Sequence, residues 1–133
     1  MAAFLVLCGG TLAAQGRDDR PQVAARADGQ QSIAYGTDPL QVVDFWPAAR
    51  AGAPLVVFVH GGGWKRGDKQ MMRGSDKLSH WQGLGYAVAS VNYRLVPAAT
   101  VEQQGADVAA AVALLKARAA PLGIDGSRIA LIG

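Results

Sequence analysis

The sequence predicts an α/β fold in three layers, with helices on both faces of a sheet that is mostly parallel and antiparallel at its first edge. Continuous apolar runs, typical of strands covered on both faces, occur at 55–59, 86–93 and 129–132. Helical patterns separate these runs, and strands that alternate with helices favour parallel pairing. The early strands follow one another without intervening helices, which predicts antiparallel pairing at that edge.

Turn residues divide the chain into short elements. Their spacing predicts strands at 32–35, 40–46, 55–59, 86–93 and 129–132. A short helix is predicted within 71–82, because Leu78, Trp81 and Leu84 are at helical spacing.

A longer helix is predicted to start at Thr100, where Thr100 and Gln103 have the spacing of a capping box. One stripe of small and apolar residues follows at steps of three and four, and we expect it to face the sheet. The stripe consists of Val101, Gly105, Val108, Val112, Leu115 and Ala119. Pro121 and Gly123 are expected to end the helix.

The first residues have the pattern of a targeting segment. Residues 1–14 combine an apolar run with small residues that suit a cleavage site, although no lysine or arginine precedes the run. We therefore expect a signal peptide at 1–14, a polar linker at 15–31, a partial α/β domain at 32–133, and a secreted or periplasmic protein. Cys8 leaves lipoprotein anchoring as an alternative, but Leu7 is larger than the residue expected before a lipid-bearing cysteine.

Composition excludes several classes of function. The chain has 133 residues, a net charge of +3 and one cysteine. A single cysteine permits neither a disulfide within the chain nor a zinc cluster, so no metal is expected. The basic residues are scattered without interleaved aromatic residues, which argues against nucleic-acid binding. No apolar run approaches the ~18 residues of a membrane span.

The segment His60-Gly61-Gly62-Gly63-Trp64 directly follows the apolar run at 55–59. Three consecutive glycines let backbone N–H groups approach a reacting atom closely and together. Such groups can stabilise the oxyanion that forms when a carbonyl is attacked. Gly61 and Gly62 are the first candidates for these donors, and Gly63 is the next.

A glycine-rich loop after a strand also suggests phosphate or dinucleotide binding, but the spacing argues against both. Gly62 and Gly67 have the phosphate-loop spacing, yet Asp68 occupies the position of the required lysine. Arg66 occupies the position of the third glycine of a dinucleotide loop. No nucleotide cofactor is therefore expected.

The residues around the loop are expected to support it. His60 ends a strand, and its ring can bind backbone groups and hold the glycines in shape, rather than act as a general base. Trp64 is expected to pack under the loop or to line a substrate pocket. Arg94 needs an acidic partner if it is buried, and Asp107 is the candidate for a structural ion pair.

Several blocks together resemble the α/β-hydrolases. They are His60–Trp64, then Gly85-Tyr86-Ala87-Val88, Asn92-Tyr93-Arg94-Leu95, Gly123-Ile124-Asp125 and Arg128–Gly133. From about residue 32 onward the chain is similar to the N-terminal half of carboxylesterases of the hormone-sensitive-lipase and feruloyl-esterase-like groups. The resemblance implies a serine hydrolase of small carboxylic esters that uses neither a metal nor an organic cofactor.

In this family the triad follows the order serine, acid, histidine, which would place all three members beyond Gly133. Gly133 matches the first glycine of the G-x-S-x-G turn, and none of the serines lies in such a turn: Ser32, Ser75, Ser79, Ser90 and Ser127. The resemblance therefore implies the oxyanion-hole half of a site, inactive by itself. A non-catalytic anion-binding module and a serine peptidase of the same fold remain alternatives.

Overall fold

The computed structural model describes residues 24–26 and 28–133. Within them lies a six-stranded sheet with the strand order β1-β2-β3-β5-β4-β6. The strands are β1 (Ala24–Ala25), β2 (Gln31–Ala34), β3 (Val42–Trp46), β4 (Ala53–Val59), β5 (Ala87–Val91) and β6 (Ile124–Ile132). The helices are a 3-10 turn (Lys69–Met72), α1 (Asp76–Gly83), α2 (Val101–Ala117) and α3 (Ala119–Leu122). All five predicted strands and both predicted helices are confirmed, with shifted ends.

The sheet is mixed. β1, β2, β3 and β5 pair antiparallel in that order, and β4 pairs parallel with both β5 and β6. The antiparallel first edge is confirmed, but it extends further than the sequence indicated, so the described sheet is not mostly parallel. The reason is that the crossover through α1 inserts β5 between β3 and β4.

Two apolar layers cover the sheet, because side chains alternate between the faces of each strand. One face carries Ile33, Val43, Phe45, Leu55, Val57, Ala89 and Val91, which pack against Ala111 and Leu115 of α2. On the other face, Trp46 and Val88 of the sheet pack against Met72 of the 3-10 turn and Leu78 of α1. The three-layer arrangement follows from these two cores.

The stripe predicted on α2 is only partly right. Val108, Val112, Leu115 and Ala119 pack on the core, but Val101 is 44% exposed and Gly105 is exposed. The first turns of α2 contact the loop after β4 instead, because Gln104 Nε2 donates to the carbonyl oxygen of Trp64. In those turns the buried residues are polar, Gln104 and Asp107. The capping box at Thr100 and Gln103 is present as predicted.

Two further expectations need correction. Leu84, used with Leu78 and Trp81 to predict the short helix, lies just beyond its last residue, Gly83, and is 59% exposed. The last strand, expected to be buried, has Leu131 53% exposed because, among the described strands, β6 pairs only with β4.

The structure describes only part of the N-terminal segments to which the sequence assigns a signal peptide and a linker. Residues 1–14 and Cys8, to which the signal peptide and the lipoprotein alternative were assigned, lie outside the described residues. The range 15–31, predicted as a linker, contains β1 and the first residue of β2. A turn joins these strands, because the N–H of Arg26 donates to the carbonyl oxygen of Gln30 at 2.8 Å.

Candidate active site at the glycine loop

The glycine loop (residues 60–68) follows β4 and borders a cavity of about 480 Å³. Ligand sites of open α/β sheets lie at the carboxyl ends of the strands, which is where this cavity is. Its lining comprises Val59, His60, Gly61, Gly62, Gly63, Trp64, Tyr93, Val101, Gln104, Gly105, Val108 and Gly133. The structure thus brings the three candidate glycines, Trp64 and Gly133 to one cavity. The indole of Trp64 is 55% exposed, so it lines the cavity rather than packing beneath the loop.

The N–H groups of Gly61, Gly62 and Gly63 donate to no protein acceptor in the part of the chain that the structure describes. The parallel ladder between β4 and β5 ends at Val59, one residue before the loop. Within the loop, a bond from Lys65 N–H to the carbonyl oxygen of Gly62, at 3.4 Å, closes the turn. Three successive donors therefore remain available beside the cavity.

The path of the loop requires glycine at two positions. At Gly62 the φ angle is +139°, and a Cβ atom would overlap the carbonyl oxygen of Arg66. At Gly67 a Cβ atom would overlap the His60 ring and the carbonyl oxygen of Gly61. The loop therefore folds back onto its own first residues with no room for side chains between them.

His60 is 2% exposed and lies under the first turn of the loop. Its Nδ1 is 3.0 Å from the carbonyl oxygen of Gly61. Because a carbonyl oxygen only accepts, this bond places the proton on Nδ1. The ring stacks on Tyr93 with centroids 4.4 Å apart, and the Tyr93 hydroxyl donates to the carbonyl oxygen of His60 at 2.6 Å. Burial raises the pKa of this tyrosine, so it keeps its proton.

Asn92 holds the other end of the loop, a role that the sequence analysis missed. Its Oδ1 accepts from the N–H of Lys69 at 2.6 Å, and its Nδ2 donates to Asp68 Oδ2 at 3.1 Å. Asn92 is 4% exposed and adjoins Tyr93. Two consecutive residues after β5 therefore bind the two ends of the glycine loop. The only sequence signal was the position of both residues at the end of a buried strand.

A buried ion pair lies beyond this end of the loop and was also missed. Lys69 Nζ is 2.8 Å from Asp44 Oδ1, and Asp44 is fully buried. The same carboxylate oxygen accepts from Ser32 Oγ at 2.6 Å. Ser90 Oγ donates to the carbonyl oxygen of Lys69 at 2.8 Å. These contacts bind the residue after the loop to strands β2, β3 and β5.

The expected ion pair between Arg94 and Asp107 is present. Asp107 accepts from Arg94 Nη2 at 2.8 Å, from Nε at 2.9 Å and from the backbone N–H at 3.1 Å. Gln41 Nε2 donates to the same carboxylate at 2.9 Å. The hydrogen bonds from Arg94 hold the pKa of the Asp107 carboxyl below its usual value, although burial opposes them. The pair joins the end of β5 to α2.

Helix α2 also contacts the loop directly. The carbonyl oxygen of Trp64 accepts from Gln104 Nε2 at 3.1 Å and from Val96 N–H at 3.0 Å. Trp64 has a φ angle of +64°, a left-handed conformation that costs a non-glycine residue roughly 1–2 kcal/mol. The two donors therefore hold a strained residue in place. Gln104 was missed because an isolated glutamine in an amphipathic helix is usually solvated.

Among residues 24–26 and 28–133, no group of three or more His, Cys, Asp or Glu side chains could hold a metal ion. The helices in that part of the chain are too short or too polar to cross a membrane. The chemical resources of the cavity are thus backbone donors, two aromatic rings and an apolar wall from α2.

Comparison with known proteins shows which proteins this chain is similar to. Esterase LipC of Mycobacterium tuberculosis is 31% identical over 107 residues, which are 78% of this chain and 26% of LipC. Carboxylesterase NlhH of the same species is 35% identical over 106 residues, which are 78% of this chain and 33% of NlhH. The chain therefore spans about a quarter to a third of the length of these curated relatives.

Solved structures agree in fold. Esterase B from Lactobacillus rhamnosis superposes with a TM-score of 0.69 at 26% identity, over 83% of this chain and 36% of that one. Esterase 2 of Thermogutta terrifontis superposes with a TM-score of 0.66 at 23% identity, over 77% of this chain and 41% of that one. The BD-FAE family model matches residues 44–133, which include the glycine loop, both of its flanking strands and α2. The chain therefore belongs to the BD-FAE family of α/β-hydrolases, whose matched relatives include carboxylesterases.

Proposed function

We propose that this chain contributes the oxyanion-hole half of the active site of a carboxylic ester hydrolase. The observation that carries the proposal is the set of backbone N–H groups at Gly61, Gly62 and Gly63, which border the cavity and donate to no described protein group. Donors that are already oriented and unpaired need no reorganisation when charge develops on a substrate.

In this reaction a nucleophile adds to the ester carbonyl carbon, and the carbonyl oxygen gains the negative charge. The N–H groups of the loop donate to that oxygen in the tetrahedral intermediate. One such donor typically lowers the barrier by about 3 kcal/mol. The carbonyl double bond then re-forms as the alcohol leaves. The same donors bind the oxygen again when water adds to the acyl intermediate.

Neighbouring residues support this geometry in distinct ways. His60 and Tyr93 bind the start of the loop, and the pair of Arg94 and Asp107 holds α2 against the end of β5. Trp64 and the apolar residues of α2 form walls suited to the apolar part of a small ester. No metal or organic cofactor takes part in the proposed chemistry.

The nucleophile in this proposal comes from outside the 133 residues. No serine of the chain lies in a G-x-S-x-G turn, and Gly133 lines the cavity with the glycine loop. A nucleophile that followed Gly133 would enter the cavity beside the N–H groups. The isolated chain should accordingly show no esterase turnover, and the nucleophile, acid and histidine are expected in the complete reading frame.

The decisive experiment removes one N–H at a time from the complete protein without adding a Cβ atom. Glycolic acid in place of Gly61, Gly62 or Gly63 exchanges the amide N–H for an ester oxygen. At least one replacement should lower kcat for a short-chain nitrophenyl ester by about 10²–10³-fold. The matched control is the same replacement at Gly52, an exposed turn residue whose N–H is likewise unpaired among the described residues.

Unchanged kcat for all three loop replacements would contradict the proposal. A complete protein that binds a carboxylate but hydrolyses no ester would instead support the non-catalytic anion-binding module. Amide hydrolysis that exceeds ester hydrolysis would support the peptidase, since both reactions share the oxyanion.

We further propose export to the periplasm or the medium, on the pattern of residues 1–14. N-terminal sequencing of the protein from its own host tests this. Cleavage near residue 14 is the expected result, and an intact N-terminus on protein from the cytoplasm would contradict it.

A further inference from the structure

The buried side chain of Gln104 makes one hydrogen bond among the described residues. It is 3% exposed, and its Nε2 donates to the carbonyl oxygen of Trp64 at 3.1 Å. That acceptor settles the orientation of the amide, because only the nitrogen end can donate to a carbonyl. The remaining atom, Oε1, is buried without a hydrogen-bond partner among the described residues.

The unpaired Oε1 of Gln104 is unfavourable for folding. A buried amide oxygen with no donor loses its hydration without compensation. The residues below it on the same face of α2, Ala111 and Leu115, are apolar and fully buried. An apolar side chain at position 104 would therefore stabilise the helix at least as well as glutamine does.

What the amide does is fix the turn of the glycine loop. Gly63 and Trp64 both have left-handed φ angles, +60° and +64°. A tryptophan leaves this conformation readily unless its neighbours hold it. Its carbonyl oxygen is held by Gln104 from α2 and by Val96 from the chain after β5. Rotation of this peptide unit would move its own N–H, that of Lys65, and break the bond to the Gly62 carbonyl oxygen that closes the turn of the loop.

We propose that Gln104 is a positioning residue for the oxyanion-binding N–H groups, a role that rests on the proposed function of the loop. Its side chain lines the cavity, but in this proposal it acts through the Trp64 carbonyl and not on the reacting atoms. Its contribution is to the geometry of the site and not to the stability of the fold.

The first test is Gln104→Met in the complete protein, a change of similar volume that removes the donor. The thermal midpoint is expected to stay unchanged or to rise. The value of kcat for a short-chain ester is expected to fall by between about 10-fold and 10³-fold, with KM within about 2-fold. A lower midpoint with unchanged kcat would overturn the proposal, because it would make the role merely structural.

The second test is Gln104→Glu, which makes the donor depend on pH. A protonated carboxyl can donate to the Trp64 carbonyl oxygen, and a carboxylate cannot. The ratio of variant to wild-type kcat is expected to rise by about 10-fold or more as the pH falls from about 8 to about 5. The control, Ala109→Glu, adds the same charge on the exposed side of α2 and should give a flat ratio. A flat ratio for Gln104→Glu would also overturn the proposal.

A readout that needs no turnover separates this inference from the proposed function. The Val96 N–H donates to the same Trp64 oxygen, so its hydrogen exchange reports how firmly that peptide is held. Gln104→Met should speed this exchange by about 10-fold or more. If the wild-type protein hydrolyses no ester, the proposed function fails, while faster Val96 exchange would still support the role of Gln104. Unchanged exchange would overturn it.

Discussion

Replacing Tyr93 by phenylalanine removes one hydroxyl and tests what holds the glycine loop. The hydroxyl donates to the carbonyl oxygen of His60 at 2.6 Å, and the two residues are 6% and 2% exposed. Water cannot readily replace the lost donor at such burial. A buried acceptor left unpaired costs about 1–3 kcal/mol. Phenylalanine keeps the stacking on His60, so the change isolates the hydrogen bond.

The assay is urea unfolding of wild type and variant, analysed at equal slope. The expected loss of about 1–3 kcal/mol corresponds to a thermal midpoint lower by about 4–11 °C in a domain of this size. The matched control is Tyr35→Phe, because that hydroxyl donates to the carbonyl oxygen of Asn92, also at 2.6 Å, and does not contact the glycine loop. Both variants should lose stability, but Tyr93→Phe should lower kcat of the complete protein by the larger factor, because Tyr35 reaches the loop only through Asn92.

Two results would refute this reasoning. A free energy of unfolding for Tyr93→Phe within about 0.5 kcal/mol of that of wild type would mean that the hydrogen bond from Tyr93 does not hold the loop. An equal loss of kcat in both tyrosine variants would mean that the effect acts through general stability.

Three further predictions concern the loop and the helix that covers it. Gly62→Ala should abolish ester hydrolysis by the complete protein, because the added Cβ overlaps a carbonyl of the loop, whereas Gly61→Ala meets open space and should retain the fold by circular dichroism. Asp107→Asn should destabilise the protein near neutral pH, because the pKa of this carboxyl is lower in the folded state than in the unfolded state. The carboxylate therefore contributes to the free energy of unfolding above the unfolded pKa of about 3.9, and this contribution is lost as the pH falls through the folded pKa. Urea unfolding at stepped pH should therefore show wild type and Asp107→Asn converging in acid, and parallel curves would contradict this. Thr100→Ala removes the capping box of α2 and should cost about 1 kcal/mol by urea unfolding, with no change at all counting against the cap.

The sequence predicted the elements well where the signal was local. Continuous apolar runs identified β4 and β5, and the capping box identified the first residue of α2. The triple glycine after a buried strand identified the loop that borders the cavity. Each of these signals depends on neighbours within a few residues, where backbone conformation and side-chain pattern are directly linked.

The predictions failed where distant segments meet. Periodicity placed Val101 and Gly105 on the sheet, but both residues are exposed and line the cavity beside the glycine loop. Gln104 is buried there against the Trp64 carbonyl oxygen, an acceptor that is in place only after the loop has folded. The sheet is more antiparallel than expected, because pairing of β3 with β5 depends on where the α1 crossover returns.

The amino-acid sequence by itself determined the α/β class, the order of the elements and the run of glycines whose N–H groups can approach a reacting atom. Only the tertiary structure decided what holds those groups in place: Tyr93 on His60, Asn92 on the residues after the loop, and Gln104 on Trp64. The physical reason is that glycine permits many backbone conformations and selects none. Hydrogen bonds from segments remote in sequence select the one in which the three glycines border the cavity.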